Sequence, residues 1–406
     1  MVFHVGSETG PLKQVIVHRP GLELTRLTPE NKDLLLFDDL LWTSSAQREH
    51  DAFTDVLRSQ GAEVLYLQDL LAESVAIQDA REYVLSRVFD ERVFGPEGVE
   101  ALRDYAEGCG AQRLAELLVA GITKRELLEQ MPEPNSLDIK FMELDDFVLN
   151  PLPNHLFTRD TSCWVQDGVA INSMTKPARQ RETITYEGIY RYHPLFAGAG
   201  FRRWGEGTIE GRSTIEGGDV LVIGNGAVLV GLSERTVAMG AERLARRLFA
   251  AGAATCVIAV QMPRERAQMH LDTVMTMLDE ESFIRYGGFG DRVTWVLRPE
   301  DDGGVHIERH EPDDFTAVIA QALGLSEVRI LTPPHDPLTA QREQWNDACN
   351  VLAVAPGVVV SYDRNVLTRT FLKQNGITVL EVPGDELGRG RGGPRCMSCP
   401  TLREQL

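Results

Sequence analysis

The sequence predicts an α/β chain in which five copies of a unit of two strands, a helix and a strand pack around a common axis, with an all-helical stretch inserted after the first copy. Three observations carry this. Turn dipeptides sit between paired apolar runs, Asp167-Gly168 in CWVQDGVAINSM, Asn225-Gly226 in DVLVIGNGAVLVG and Pro356-Gly357 in NVLAVAPGVVVSY. Asp-Gly and Asn-Gly between such runs are strong hairpin signals. Each pair is then followed by a helical pattern, a glycine and a single strand. One such unit is too short to bury its own apolar face, so the copies must stack on one another. A doubly wound parallel sheet fits less well, because tight hairpins imply antiparallel neighbours.

In chain order, Leu12 to His18 reads as a strand bounded by Gly10-Pro11 and Pro20-Gly21. Ser45 to Ser59 reads as a helix that places Phe53, Val56 and Leu57 on one face and stops at Gly61, and Glu63 to Leu67 as the strand that follows. From 69 the pattern changes. AIQDAREYVLSRV, GVEALRDYAE, AQRLAELLVAG and TKRELLEQ all carry helical spacing with no alternating strand between them, and PEPN at 132–135 marks the exit. We therefore expect residues 69–131 to form a helical insertion domain and residues 1–68 with 132–406 to form the repeat domain.

From Phe157 the repeat returns. Helices are expected near Arg181 to Phe196, at Ser233 to Ala250, Pro312 to Leu323 and Val366 to Gln374. The last three are followed by the strands Thr255 to Val260, Glu327 to Leu331 and Thr378 to Val382, each after a glycine. A further strand pair, DTVMTMLDEESFIRY, belongs to the fourth copy and reaches its helix through a longer excursion.

With 406 residues, 43% of them hydrophobic, the chain can bury a large core. A net charge of -19 argues against nucleic acid and anionic membranes as partners. No run reaches the roughly 20 apolar residues of a membrane helix, and MVFHVGSETGPLK lacks the features of a signal peptide, so a cytoplasmic location is expected. The six scattered cysteines fit reduced core thiols better than a secreted disulfide framework.

The polar residues recur in phase. FTRD, IEGGD, MHLD and WNDACN stand immediately before the hairpins of successive copies, and in a ring Asp160, Glu216, Asp219, His270, Asp272, Asn346 and Asp347 would converge near one end of the axis. A lone Asp or Glu there would be a turn residue. Four such segments at matching phase call for a shared site. The tail adds Cys396 behind GRGRGGPR, where Gly384, Gly388, Gly390, Gly392 and Gly393 let the backbone approach a ligand and Arg389, Arg391 and Arg395 supply positive charge. Carboxylates, one histidine and an incoming thiol are the parts for nucleophilic attack on a cation.

These residues also carry a resemblance. PNHLFTRD, PARQRET, IEGGDV, MHLDTVMTML, EQWNDACN and RGGPRCMSCP, in that order, resemble the motifs of the arginine deiminases, in the guanidino-group-modifying superfamily. The resemblance implies a five-bladed pseudo-symmetric α/β propeller, the pentein fold, and hydrolysis of L-arginine to L-citrulline and ammonia with no metal or organic cofactor. It implies Cys396 as nucleophile, His270 as acid and base, Glu216 as a guanidinium and proton partner, and Asp160 and Asp272 as guanidinium clamps. It further implies Arg179 and Arg235 on the substrate carboxylate, with Asn154, Phe157 and Asp219 around it and Arg391 closing the site. Members of the family are generally oligomeric, so a homo-oligomer, dimer or tetramer, is expected.

The types fit the chemistry. A guanidinium is planar, permanently charged and rich in paired N–H donors that match carboxylate oxygens. Three carboxylates around an empty site should raise the thiol above its ordinary value of about 8.5, so the bound cation would help form its own nucleophile. Cys396 and Cys399 also read as a CxxC, a redox pair or half of a zinc site. Zinc would need two further ligands, and no second CxxC or HxxxH is present. An amidinotransferase, an agmatine deiminase, a methylarginine hydrolase or a non-catalytic arginine sensor would share much of the same set.

Overall fold

Asn225 and Gly226 take φ values of 49° and 70°, the double left-handed turn that joins two antiparallel strands with the right twist. The computed structural model describes residues 3–406, apart from the side chains of 209 and 210. Hairpins of this kind organise the chain. Val220–Gly224 pairs antiparallel with Ala227–Leu232, which in turn pairs parallel with Cys256–Gln261 across the helix Ala238–Ala250.

The same antiparallel-then-parallel pattern appears in five sheets. The second unit joins Ser162–Val165, Gly168–Ile171 and Arg202–Glu206. The third is the one above, extended by a hairpin of Thr294–Pro299 and Val305–His310. That hairpin accounts for most of the long excursion seen in the sequence. The fourth joins Met275–Met277, Ser282–Arg285 and Arg329–Leu331, and the fifth Leu352–Ala355, Val358–Tyr362 and Thr378–Val382.

The first unit is built from both ends of the chain. Leu12–Val17 pairs parallel with Glu63–Tyr66, as the helix Thr43–Ser59 between them requires, and antiparallel with Cys399–Arg403. The strand after Cys396 is thus the missing first strand of the first unit. Sequence reading assigned it to a tail.

Residues 67–130 form six helices and one two-residue strand, Ile122–Thr123, which pairs with Phe147–Leu149. Leu71, Leu102 and Leu118 from these helices share one apolar core with Trp164, Ile171 and Tyr190 of the second unit. Each fully buried leucine there contributes about 1.5–3 kcal/mol relative to exposure. A helix at Pro337–Trp345 was not expected, although Asp336 caps it through Leu338 and Thr339 and Pro337 opens it. The helix after the hairpin of the third unit begins at Ala238, five residues later than its sequence pattern implied. No helix among the described residues is long and apolar enough to cross a membrane.

Candidate active site

Five loops, each just ahead of the first strand of a unit, are hydrogen-bonded into a ring. Arg159 N donates to Cys396 O at 3.1 Å, joining the second unit to the first. Gly218 N donates to Asp160 Oδ1 at 3.2 Å, and Leu271 N to Asp219 Oδ1 at 2.9 Å. Asn350 Nδ2 donates to Asp272 O at 3.1 Å, and Cys396 N to Asn350 Oδ1 at 3.0 Å, which closes the circle. The phase match among FTRD, IEGGD, MHLD and WNDACN is therefore a spatial match, and Cys396 is its fifth member.

Inside the ring lies a cavity of about 20 Å³, lined among others by Asn154, Phe157, Asp160, Arg235, His270 and Cys396. That is room for about one water molecule. Arg179, Arg391 and Gly390 of the glycine-rich tail line it too, as do Leu36, Met269 and Thr273, which sequence reading did not single out. Glu216 and Asp272 are not among the lining residues: Glu216 stands behind His270, and Asp272 lies beside Cys396. Asp219 does not reach the cavity. Expected beside a ligand, it instead accepts from Leu271 N and from Ser233 Oγ at 2.7 Å, pinning the third loop to the fourth.

Cys396 is 3% exposed, and its Sγ stands 3.7 Å from Asp272 Oδ2. Burial, and then the charges of Asp272, Asp160 and Asp347, push the thiol well above its ordinary range. Asp272 Oδ2 also accepts from Arg395 Nη1 at 2.7 Å, whereas its Oδ1 is buried with no partner. Arg395 is held from behind by Glu8 at 3.0 and 3.1 Å. Glu8 and Arg395 escaped the sequence reading as a pair because nearly the whole chain separates them. Cys399, three residues on, donates to Ser162 O at 3.2 Å and is packed inside its strand. All six cysteines are free and buried.

His270 bridges two acids. Nε2 lies 2.8 Å from Glu216 Oε2 and Nδ1 lies 3.6 Å from Asp160 Oδ1. Burial works against the imidazolium, but the Asp160 charge and the Glu216 hydrogen bond outweigh it and lift the ring to about 9. It is cationic at neutral pH. Glu216 matches this: burial opposes its ionisation, and Arg235 with His270 hold it well below the usual carboxylate range.

The two arginines expected at a substrate carboxylate differ. Arg179 donates Nη1 to Asp160 Oδ2 at 2.6 Å, Nε and Nη2 to Glu182, and Nη2 again to the carbonyls of Asn154 and Phe157. At most one of its five N–H groups is left for a ligand. Arg235 holds Glu234 at 2.9 Å and Glu216 at 3.3 Å and touches Met269 Sδ with Nη2, a weaker set of commitments.

Arg391 roofs the cavity. Its backbone is left-handed at φ 64°, its guanidinium lies 3.7 Å over the Trp345 ring, and it donates to the carbonyls of Trp345 and Ala267. The glycines beneath allow this close approach: a Cβ on Gly392 would stand 2.3 Å from the Phe157 ring. Phe157 in turn stacks on Phe37, and Asn154 Nδ2 donates to Leu35 O at 2.7 Å.

Asp160, Glu216 and His270 also bring ligand atoms within 4.8 Å of one another, the one group of metal-ligating geometry among the described residues. A metal there would displace the proton between His270 and Glu216 and compete with Arg179 and Arg235 for both carboxylates.

Two solved structures share the fold. An amidinotransferase from Microseira wollei, SxtG of the saxitoxin pathway, is 14% identical with a TM-score of 0.57, over 100% of this chain and 98% of that one. A DDAH from Pseudomonas aeruginosa, solved with citrulline, is 16% identical with a TM-score of 0.51, over 96% and 98%. The family model for arginine deiminase matches residues 33–403, nearly the whole chain and every loop of the ring. This chain belongs to the arginine deiminase family.

Proposed function

We propose that the protein is an arginine deiminase, hydrolysing L-arginine to L-citrulline and ammonia through a covalent S-alkylthiouronium intermediate on Cys396, with no cofactor. The observation that carries this is Asp272 Oδ1, a buried carboxylate oxygen with no partner, on a side chain whose other oxygen lies 3.7 Å from the thiol. A buried unpaired acceptor is costly, and a guanidinium N–H satisfies it while bringing the central carbon to the sulfur. Asp160 takes the other edge of the planar cation, and Arg235 takes the α-carboxylate. Arg179 fixes Asp160 and Glu182 in place.

As the cation binds, the Cys396 thiol loses its proton to solvent, and the thiolate adds to the guanidinium carbon to form the S–C bond while the C=N pair moves onto nitrogen. His270, cationic at rest, gives its proton to the departing nitrogen, and the C–N bond breaks to release ammonia. Neutral His270 then takes a proton from water as the oxygen adds to the same carbon. The C–S bond breaks as the hydroxyl proton passes to the departing sulfur, citrulline leaves, and Cys396 returns to its resting thiol. Glu216 stabilises the imidazolium and so sets when it lets the proton go. The ring of five loops and the five matching sheets support a five-bladed propeller with 69–131 as its helical insertion.

Citrulline and ammonia formation from L-arginine, with agmatine and methylarginines in parallel, tests this reading. L-Arginine is expected to be turned over far faster than agmatine, which lacks a carboxylate for Arg235. Equal rates, or no citrulline at all, would overturn it.

A further inference from the structure

A second cleft lies away from the site, where the first unit meets the helical stretch. Its volume is about 410 Å³, within the range of small-molecule pockets, and none of its lining residues borders the cavity at Cys396. His18 and Glu23 follow the first strand, Gln68 opens the helix Leu67–Val75, and Gln112 and Arg113 stand in the first turn of the helix Ala111–Ala120.

Two buried polar atoms on this lining have no partner, His18 Nδ1 and Gln68 Nε2. His18 is only 2% exposed. Its Nε2 lies 3.2 Å from Glu23 Oε1, and because a carboxylate only accepts, the Nε2 atom carries the proton. When the ring carries that one proton, Nδ1 is an acceptor without a donor, while the Gln68 amide nitrogen is a donor without an acceptor. The helix Ala111–Ala120 adds more donors: its N-cap is Gly110, so no side chain covers the first-turn N–H groups, and its positive dipole end favours a negative group.

The fixed charges around these atoms are nearly balanced. Arg19 is held by both oxygens of Asp51 at 2.7 and 2.8 Å. Arg113 is paired with Glu116 and Glu126. A ligand of strong net charge would upset that balance, but one with both signs would not. We propose that this cleft binds a free α-amino acid. Its carboxylate meets the first-turn N–H groups, Arg113 and the Gln68 amide. Its ammonium donates to His18 Nδ1 and faces Glu23. This site is independent of the chemistry proposed at Cys396.

Hydrogen exchange of the full chain bearing Cys396→Ala tests it, with the twenty L-amino acids and inorganic phosphate as probes. At least one amino acid is expected to slow exchange at 111–116 several-fold, with phosphate ineffective. Gln68→Leu, at a half-buried position, should weaken that protection at least tenfold while leaving the melting temperature of the free protein unchanged. The loops at 391–396 report occupancy of the Cys396 cavity separately. The proposal is overturned if no amino acid protects 111–116, if phosphate protects as well as the best of them, or if protection survives Gln68→Leu intact.

Discussion

Asp272 presents one oxygen to Arg395 at 2.7 Å and to Cys396 Sγ at 3.7 Å, and keeps the other unpartnered. Cys396 therefore rests beside an acid whose free oxygen has no partner. Burial and three acids hold the thiol well above its usual range. Iodoacetamide alkylation of Cys396 in the free enzyme should accordingly show no inflection below the ordinary thiol value of about 8.5. An unreactive guanidinium analogue should move the inflection downward. A free-enzyme inflection below neutrality would contradict the arrangement.

The pH dependence of stability follows from His270. Its folded value is raised from the ordinary 6.5 to about 9, so the stability it contributes is fully present below about 6.5 and is lost as pH rises through about 9. Melting temperature should fall over that alkaline window, and kcat/KM should fall with it as the general acid is lost. His270→Asn should abolish turnover and flatten this part of the stability profile.

Gly218 separates the two catalytic candidates of neighbouring units. A Cβ there would stand 2.7 Å from His270 Nδ1 and 2.8 Å from Asp160 Oδ1. Gly218→Ala should cut kcat/KM by about 100-fold or more, the scale of an ångström-sized misplacement, while the chain still folds. Gly198→Ala, where nothing lies within 4 Å, should leave kcat/KM unchanged.

Arg179 and Arg235 should separate cleanly in two assays. Arg235→Ala should raise KM for L-arginine far more than KM for agmatine. Arg179→Ala strands the carboxylates of Asp160 and Glu182, buried at 3% and 0% exposure. It should cost about 3–5 kcal/mol in denaturant titrations, the scale of a broken buried pair.

What the sequence disclosed divides along physical lines. Turn dipeptides and helix periods are local, so the helix Val366–Gln374 and the strand Thr378–Val382 were read at their observed bounds. The phase-matched motifs were local too, which is why Asp160, Glu216, His270 and Asp272 could be named before any geometry. Pairing between distant segments has no such signature. Cys399–Arg403 on Leu12–Val17 joins the two ends of the chain, and Glu8 behind Arg395 does the same at the site. Asp219 shows the opposite failure: its motif position matched, but Leu271 N and the Ser233 hydroxyl claim its carboxylate. The helix Pro337–Trp345 had a legible start in Asp336-Pro337 that its irregular apolar spacing obscured.

The covalent step is the centre of the account, and rapid quenching tests it most directly. Acid-quenched enzyme, taken during turnover of L-arginine and mapped by peptide mass, should carry arginine less ammonia on Cys396 alone. His270→Asn should slow both formation and decay of that adduct, whereas Cys396→Ala should show neither adduct nor citrulline. Citrulline formed at the wild-type rate by Cys396→Ala, or an adduct on any other residue, would contradict it.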